Sequence, residues 1–336
     1  MPRACAPGRS SLARTITAIT CASCWKGKAA VASVTILMAT WNGAARLVPQ
    51  LDSFAAQSLV PARLIVSDDG STDATVEVLS GWAAAHPGIA VTLLAGPRAG
   101  AAQNFLSLLR LPVETDLRAI SDQDDVWLPE KLQVAAAALA QGPTDQPAMY
   151  CGRSFEVNED LTGHRLSRGA PRPAAFAHAL VQNIAGGNTM VLNRAGAEAI
   201  RAAALRTTDT VIHDWWIYQV ITGIGGRVIF DDTPHLLYRQ HESNVIGANR
   251  GALATLVRAH MLVTGRFSDW CKRNIAALRA IEDLLTPENR ALLAAFERAR
   301  SLPPLQSLAA IRRAGFYRQG LRGQLSLYAG ALLRRL

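Results

Sequence analysis

Two short acidic clusters are the strongest chemical signal in this sequence. One is the pair Asp68 and Asp69, and the other is the triplet Asp122, Asp124 and Asp125. Carboxylate oxygens suit Mg²⁺ and Mn²⁺, and such an ion usually takes one or two protein carboxylates together with substrate phosphates. Five carboxylates meeting in one crevice would repel each other unless they shared a cation. The clusters therefore predict a divalent cation, Mg²⁺ or Mn²⁺, that holds a diphosphate. The alternative is that each cluster only closes a strand or caps a helix, which fits the pair better than the triplet.

The hydrophobic pattern predicts that both clusters lie at strand ends in an α/β fold. Apolar runs predict strands over 34–40, 62–66, 90–94 and 117–120, and helical patterns lie between them over 44–57, 73–86 and 100–110. This alternation predicts a doubly wound, mainly parallel sheet flanked by helices. Ligands of such sheets bind at the carboxyl ends of the strands, where both clusters are expected.

The rest of the chain predicts a less regular continuation and a helical end. We expect a helix from Pro129 to about 140, strands over 148–158 and 188–193, helices over 194–204 and 214–223, and a strand region over 227–238 interrupted at Pro234. From 251 the pattern is helical, with breaks at Pro287 and at Pro303-Pro304. The predicted organisation is a disordered extension over 1–30, a catalytic domain over 31–250 and a basic helical region over 251–336.

The positive charge lies at the two ends of the chain. Residues 1–30 carry five basic groups and residues 301–336 carry six, with no acid in either stretch. Removing these eleven charges from the net charge of +9 leaves the body at −2. A duplex-binding protein needs basic groups on its folded face, so we expect no nucleic-acid partner. Basic ends fit a peripheral contact with an anionic membrane surface.

Other features favour a cytoplasmic protein. The sequence contains no run of about 18 apolar residues, so we expect no membrane-spanning helix. The five cysteines, including the pair Cys21 and Cys24, fit free thiols in a reducing compartment better than a metal or redox site. The expected location is the cytoplasm, at the inner face of the membrane. The glycine fingerprint of dinucleotide folds and the P-loop are both missing, which argues against NAD enzymes and P-loop NTPases.

Six short motifs carry a resemblance to a known family. In order, they are ATWNG (39–43), SDDGSTD (67–73), SDQDDVW (121–127), GGNTM (186–190), HDWW (213–216) and YRQH (238–241). Together they make the stretch 34–247 resemble glycosyltransferase family 2, and within it the rhamnosyltransferase-like branch. The resemblance implies the GT-A fold, and it covers neither the first 30 residues nor the region after 250.

The resemblance implies a donor site built from the first three motifs. Residues implied to contact the nucleotide sugar are Thr40, Asp68, Asp69, Asp122 and Gln123. The pair Asp122 and Asp124 matches the D-x-D motif that binds the ribose and the metal-bound diphosphate. Arg98 is a further candidate for the diphosphate, and an ordinary solvated arginine is its alternative. His241 is a candidate metal or phosphate ligand, and a structural histidine is its alternative.

The later motifs imply an acceptor side. Asp214 matches the general base of the family; burial would raise its pKa, whereas a helix N-terminus would lower it. The acceptor side is also assigned Gly187, Asn188 and Trp215, since glycine permits close approach of the backbone. The Q-x-x-R-W motif of processive members is absent, which favours addition of one sugar per encounter.

The sequence therefore predicts an inverting glycosyltransferase. It would move a sugar from a nucleotide-diphosphate donor to a hydroxyl of a glycan or lipid-linked acceptor in the synthesis of a cell-surface polysaccharide. The resemblance alone suggests dTDP-L-rhamnose as the donor. Two alternatives stay open, which are a nucleotidyltransferase or nucleotide-sugar pyrophosphorylase on a similar sheet and a catalytically inactive nucleotide-sugar-binding protein.

Overall fold

Strands and helices alternate in the first part of the described chain, as the hydrophobic pattern predicts. The computed structural model describes residues 32–240 and 265–336. Its first elements are β1 (Val34–Thr40), α1 (Ala44–Ala55), β2 (Arg63–Asp68), α2 (Thr75–Ala85), β3 (Ala90–Ala95), α3 (Ala101–Leu109) and β4 (Leu117–Ser121). Each of these elements lies within a few residues of its predicted position.

Shorter elements follow. They are β5 (Val126–Trp127), α4 (Lys131–Leu139), β6 (Ala148–Gly152), β7 (Phe155–Val157), β8 (Arg165–Leu166), α5 (Phe176–Ala179), β9 (Val191–Asn193), α6 (Arg194–Ala204), α7 (His213–Gly223), β10 (Arg227–Asp231) and β11 (Leu236–Arg239). The last part contains α8 (Arg266–Arg279), α9 (Pro287–Ser301), α10 (Pro304–Arg313) and α11 (Gly320–Leu332). Short 3-10 turns span Gly187–Thr189 and Glu282–Leu284.

A seven-stranded sheet forms the centre of the fold, in the order β10-β6-β9-β4-β1-β2-β3. Its strands are parallel except β9, which pairs antiparallel with β4 and β6. The side chains of β1 alternate between two hydrophobic clusters, with Leu37 in one and Ile36 and Met38 in the other. Both faces of the sheet are therefore covered, and the predicted doubly wound, mainly parallel α/β fold is confirmed.

A second sheet of four strands, in the order β5-β11-β7-β8, was not predicted. It arises because the strands predicted over 148–158 and 227–238 are each divided between the two sheets. The backbone at Gly152 approaches β10 so closely that a Cβ there would lie 2.7 Å from the carbonyl oxygen of Asp231. Pro234 has no N–H to continue the ladder on the other strand. The predicted strand over 188–193 is also too long, since its first residues form a 3-10 turn.

The described C-terminal helices pack on the same hydrophobic core as α7. Their contributions include Leu278, Phe296, Ile311 and Leu327. The prolines predicted to break helices stand at the start of α9 and α10, where the missing N–H costs no hydrogen bond. Across the two described ranges, no helix is both long and apolar enough to cross a bilayer. The predictions for residues 1–30, for His241 and for 251–264 fall outside these ranges.

Candidate active site

Asp68 organises the turn that follows β2. Its Oδ1 accepts a hydrogen bond from Thr40 Oγ1 at 3.0 Å, which joins the ends of β1 and β2. Its Oδ2 accepts the backbone N–H groups of Gly70 at 3.2 Å and Ser71 at 2.8 Å. The side chains of Thr40 and Asp68 thus meet at the carboxyl edge of the sheet, and both are buried.

Asp69 connects this turn to the loop before α3. Its two carboxylate oxygens accept the backbone N–H groups of Arg98 at 2.6 Å and Gly100 at 2.7 Å. The Arg98 side chain lies across Gly70, where a Cβ would stand 3.0 Å from the guanidinium Nε. Gly70 also has φ +90°, so a side chain at this position would be strained as well as crowded.

These contacts correct one expectation from the sequence. The five acids do not need one shared cation, because Asp68 and Asp69 have N–H donors of their own. The predicted donor-binding residues Thr40, Asp68, Asp69 and Arg98 are brought together at one edge of the sheet. Their predicted contact with the nucleoside stays a prediction.

Gln123 holds the turn that follows β1. Its Oε1 accepts the backbone N–H of Trp41 at 2.9 Å, and its Nε2 donates to the Trp41 carbonyl oxygen at 3.0 Å. A Cβ at Gly43 would lie 2.2 Å from the Gln123 Oε1, so a larger residue there would displace this side chain from the turn. These bonds leave the Trp41 indole 60% exposed at the carboxyl end of β1. Trp41 is not among the site residues predicted from the sequence, although a large aromatic side chain directly after a central strand was an available signal.

Asp122, Asp124 and Asp214 form the charged centre of the site. Burial and the carboxylates of Asp124 and Asp214 raise the pKa of Asp122 to about 8. Burial and the charges of these acids likewise raise the pKa of Tyr238 above its ordinary value. The tertiary structure therefore brings the D-x-D motif, the predicted base and a tyrosine from β11 into one electrostatic environment. Tyr238 belongs to the YRQH motif, but no role for it was predicted from the sequence.

Asp125 has a different environment from the other two acids of its motif. It is fully buried, and its Oδ1 accepts the backbone N–H of Arg239 at 3.0 Å. Its Oδ2 accepts a hydrogen bond from the side-chain amide of Asn188. Burial and the charges of Asp124 and Asp122 raise its pKa. Asp125 thus ties the donor motif to β11 and to the turn at Gly187–Thr189.

The electrostatic balance at Asp214 favours a raised pKa. Asp214 lies in the first turn of α7 and accepts the backbone N–H of Trp215 at 2.5 Å. Hydrogen bonds from Trp215, Gly187 and Asn183 lower its pKa, but burial is the larger effect and raises it to about 6. A carboxylate with this pKa is ionised at neutral pH and is a stronger base than an ordinary aspartate.

The other residues predicted on the acceptor side pack differently from one another. A Cβ at Gly187 would lie 2.4 Å from His213 Nε2, so glycine is required beside the start of α7. Asn188 is buried and bonded to Asp125. Trp215 is only 3% exposed, and its Nε1 donates to the Ala179 carbonyl oxygen at 2.7 Å. This packing does not favour the predicted contact of Trp215 with an acceptor.

The described residues offer oxygen ligands but no complete metal cage. Among them, no group of three or more His, Cys, Asp and Glu side chains is arranged to hold an ion. Asp122 and Asp124 nevertheless fit a divalent cation that also binds substrate phosphates, since such an ion needs only one or two carboxylates. Burial is the main cause of the raised pKa of Asp122, and repulsion from Asp124 and Asp214 adds to it; a bound cation would favour the ionised carboxylate against both effects.

Comparisons with known proteins find similar sequences and similar folds. Residues 35–197 match the model of "Glycosyl transferase family 2". The chain is 28% identical over 220 residues to the dTDP-rhamnosyl transferase RfbG of Shigella flexneri, covering 63% of this chain and 74% of that protein.

Two solved structures have a similar fold. The mannosyltransferase PcManGT of Pyrobaculum calidifontis, solved in complex with GDP-Man and Mn²⁺, has a TM-score of 0.52 at 23% identity over 90% of this chain and 80% of that one. Residues 1–349 of S. aureus TarS give a TM-score of 0.50 at 14% identity over 84% of this chain and 90% of that one. The sheet, the motifs and the match over 35–197 therefore identify a glycosyltransferase family 2 domain in this chain, and its fold is GT-A.

Proposed function

We propose that this protein is an inverting glycosyltransferase that moves a sugar from a nucleotide-diphosphate donor to an acceptor hydroxyl. One observation carries the proposal, namely that Asp122, Asp124 and Asp214 share one electrostatic environment at the carboxyl edge of the sheet. A donor diphosphate and a proton acceptor are the two things that a single displacement at the anomeric carbon needs.

The donor would bind between the turns that follow β1, β2 and β4. The exposed indole of Trp41 is positioned to stack on a flat nucleobase, and Arg98 is available to the diphosphate. Asp122 and Asp124 would hold Mg²⁺ or Mn²⁺ together with the diphosphate oxygens. When bound, the ion stabilises negative charge on the leaving group. The similarity to a dTDP-rhamnosyl transferase makes dTDP-L-rhamnose the first donor to test.

Asp214 would act as the general base. The acceptor oxygen forms a bond to the anomeric carbon while the bond from that carbon to the diphosphate oxygen breaks. The acceptor proton passes to the Asp214 carboxylate, and the bonding electron pair leaves with the nucleoside diphosphate. One displacement of this kind inverts the anomeric centre, and it needs no covalent sugar intermediate.

The proposed acceptor is a glycan or lipid-linked hydroxyl used in the synthesis of a cell-surface polysaccharide. The protein would work in the cytoplasm at the inner face of the membrane, where such an acceptor is presented. The basic end of the chain supports this location, because it complements an anionic leaflet.

Product analysis of the purified full chain tests the proposal. We expect release of a nucleoside diphosphate that requires Mg²⁺ or Mn²⁺ and that accelerates when an acceptor is added. Formation of pyrophosphate from a nucleoside triphosphate and a sugar phosphate would instead identify a nucleotidyltransferase. Donor binding without any turnover across a panel of donors and acceptors would identify an inactive binding protein. NMR of the product gives the anomeric configuration, and a retained configuration would exclude the single displacement.

A further inference from the structure

The last helix, α11, has two faces in different environments. Leu327 and Ala331 are buried, whereas Leu321, Leu325 and Leu332 are 76%, 56% and 40% exposed. At about 100° per residue, the three exposed leucines fall within about 40° of one another, on the side away from the buried pair. We call them the leucine face. A helix of a monomeric globular protein normally turns such a stripe towards its own core, so this one is available to a partner.

The leucine face lies in a segment with a strong positive charge. Residues 301–336 contain no acid. Five of the six arginines in this segment are exposed, and they are Arg312, Arg313, Arg322, Arg334 and Arg335. Arg318 is the exception, because its Nε donates to the Val181 carbonyl oxygen at 2.9 Å inside the fold. The structure thus divides the basic segment into one internal arginine and a set that faces solvent.

We propose that the leucine face docks α11 in the plane of an anionic lipid bilayer, with the exposed arginines at the level of the headgroups. The helix has 13 residues, a length of about 20 Å, so it is suited to lying along the surface and not to crossing a core of about 30 Å. Interfacial helices likewise combine burial of an apolar stripe with attraction of nearby basic residues to anionic lipids; here Arg322 lies in the helix, and Arg334 and Arg335 follow it directly.

The charge selects the bilayer over a second copy of the chain. In a twofold dimer the same patch of both copies would meet, which would bring two sets of arginines together with no acid from this segment to pair them. An anionic leaflet offers the opposite charge over its whole surface. Helix α10 also exposes one leucine, Leu305, together with Arg312 and Arg313, which lie about two turns further along it.

Vesicle co-sedimentation of the full chain tests the docking. The probes are phosphatidylcholine vesicles with and without phosphatidylglycerol, at low and high salt. We expect binding only to the anionic vesicles and weaker binding at high salt. The triple variant Leu321→Gln, Leu325→Gln and Leu332→Gln should lower the partition constant at least about tenfold. The control Leu205→Gln removes an equally exposed leucine elsewhere, at 56%, and should bind like the unaltered chain.

Each outcome decides the proposal. Equal binding of the triple variant and the unaltered chain, or binding that ignores lipid charge, overturns it. A dimer that dissociates in the triple variant, with no vesicle binding by either protein, assigns the leucine face to a second copy. Thermal melts show that the variants fold. The inference rests on the membrane location in the proposed function and names the surface that makes the contact, but sedimentation needs no turnover, so docking and transfer can fail separately. Transfer to a soluble acceptor should be unchanged in the triple variant.

Discussion

Replacing Asp214 with asparagine should separate activity from stability. The pKa of the carboxyl group is raised from 3.8 to about 6, mainly because it is buried. Asparagine keeps an oxygen that can accept the Trp215 N–H, but it cannot take a proton from an acceptor hydroxyl. We therefore expect normal donor binding with transfer slowed at least about 10²-fold, which is the lower end of a general-base contribution.

The same shift gives the expected change in folding free energy. Between pH 4 and 6, approximately, the unfolded carboxyl group loses its proton while the folded one keeps it, so the unaltered protein loses stability as the pH rises. Above about pH 6 the carboxyl group is ionised in both the folded and the unfolded state, so the loss of stability stays constant. A difference of about two pKa units between the folded and unfolded states corresponds to a destabilisation of at most about 3 kcal/mol. Contact of the half-buried side chain with water makes this destabilisation smaller. At neutral pH, Asp214→Asn should therefore be at least as stable as the unaltered protein.

Three measurements test this reasoning. They are the rate of nucleoside diphosphate release at saturating donor, its pH profile at saturating Mn²⁺, and urea unfolding at several pH values without metal. The rate of the unaltered protein should fall about tenfold per pH unit below about pH 6. Asp269→Asn is the matched control, because it removes an exposed aspartate from the first turn of α8. Near-normal turnover by Asp214→Asn would place the base elsewhere, and a large loss of stability at neutral pH would refute the argument from burial.

Three further predictions concern the donor side. Asp124→Asn should abolish transfer and weaken metal-dependent donor binding in calorimetry with Mn²⁺, since one proposed ligand is lost; unchanged affinity and turnover would remove the metal assignment. Asp125→Asn should lower unfolding free energy by roughly 1–3 kcal/mol, because both oxygens accept hydrogen bonds and the new amide nitrogen cannot. Combining it with Asn188→Asp should restore much of the loss in urea unfolding, and an additive double variant would contradict this link. Trp41→Ala should weaken donor binding roughly ten- to hundredfold, whereas Trp41→Phe keeps a ring and much of the affinity; equal affinity of all three proteins would exclude stacking.

The first four strands and the helices between them could be predicted because their signals are local. A continuous apolar run such as 34–40 predicts a strand that is buried on both faces of the sheet. The acids that follow β2 and β4 indicate where these strands end. The motifs also placed Asp214 at the start of a helix, and α7 confirms that position. These features depend on neighbours in the chain, so one sequence is enough to reveal them.

The second sheet and the partners of the individual acids could not be predicted in this way. β7 and β11 are short, and each pairs with a strand distant in sequence, so their local patterns merge with those of β6 and β10. Whether an acid points into the crevice or bonds to the fold depends on N–H groups that distant loops supply. Asp69 receives its donors from the loop at 98–100, and Asp125 receives them from Asn188 and Arg239.

The sequence by itself determined the class of fold, the order of its first elements, the positions of the acids at strand ends and the excess of arginine at the end of the chain. Only the tertiary structure decided that Asp122, Asp124 and Asp214 share one charged environment while Asp125 is buried in hydrogen bonds. It also decided which leucines of α11 face solvent. The physical reason is that residue type and spacing are local properties, whereas burial, pKa and hydrogen-bond partners depend on segments that meet only after the chain has folded.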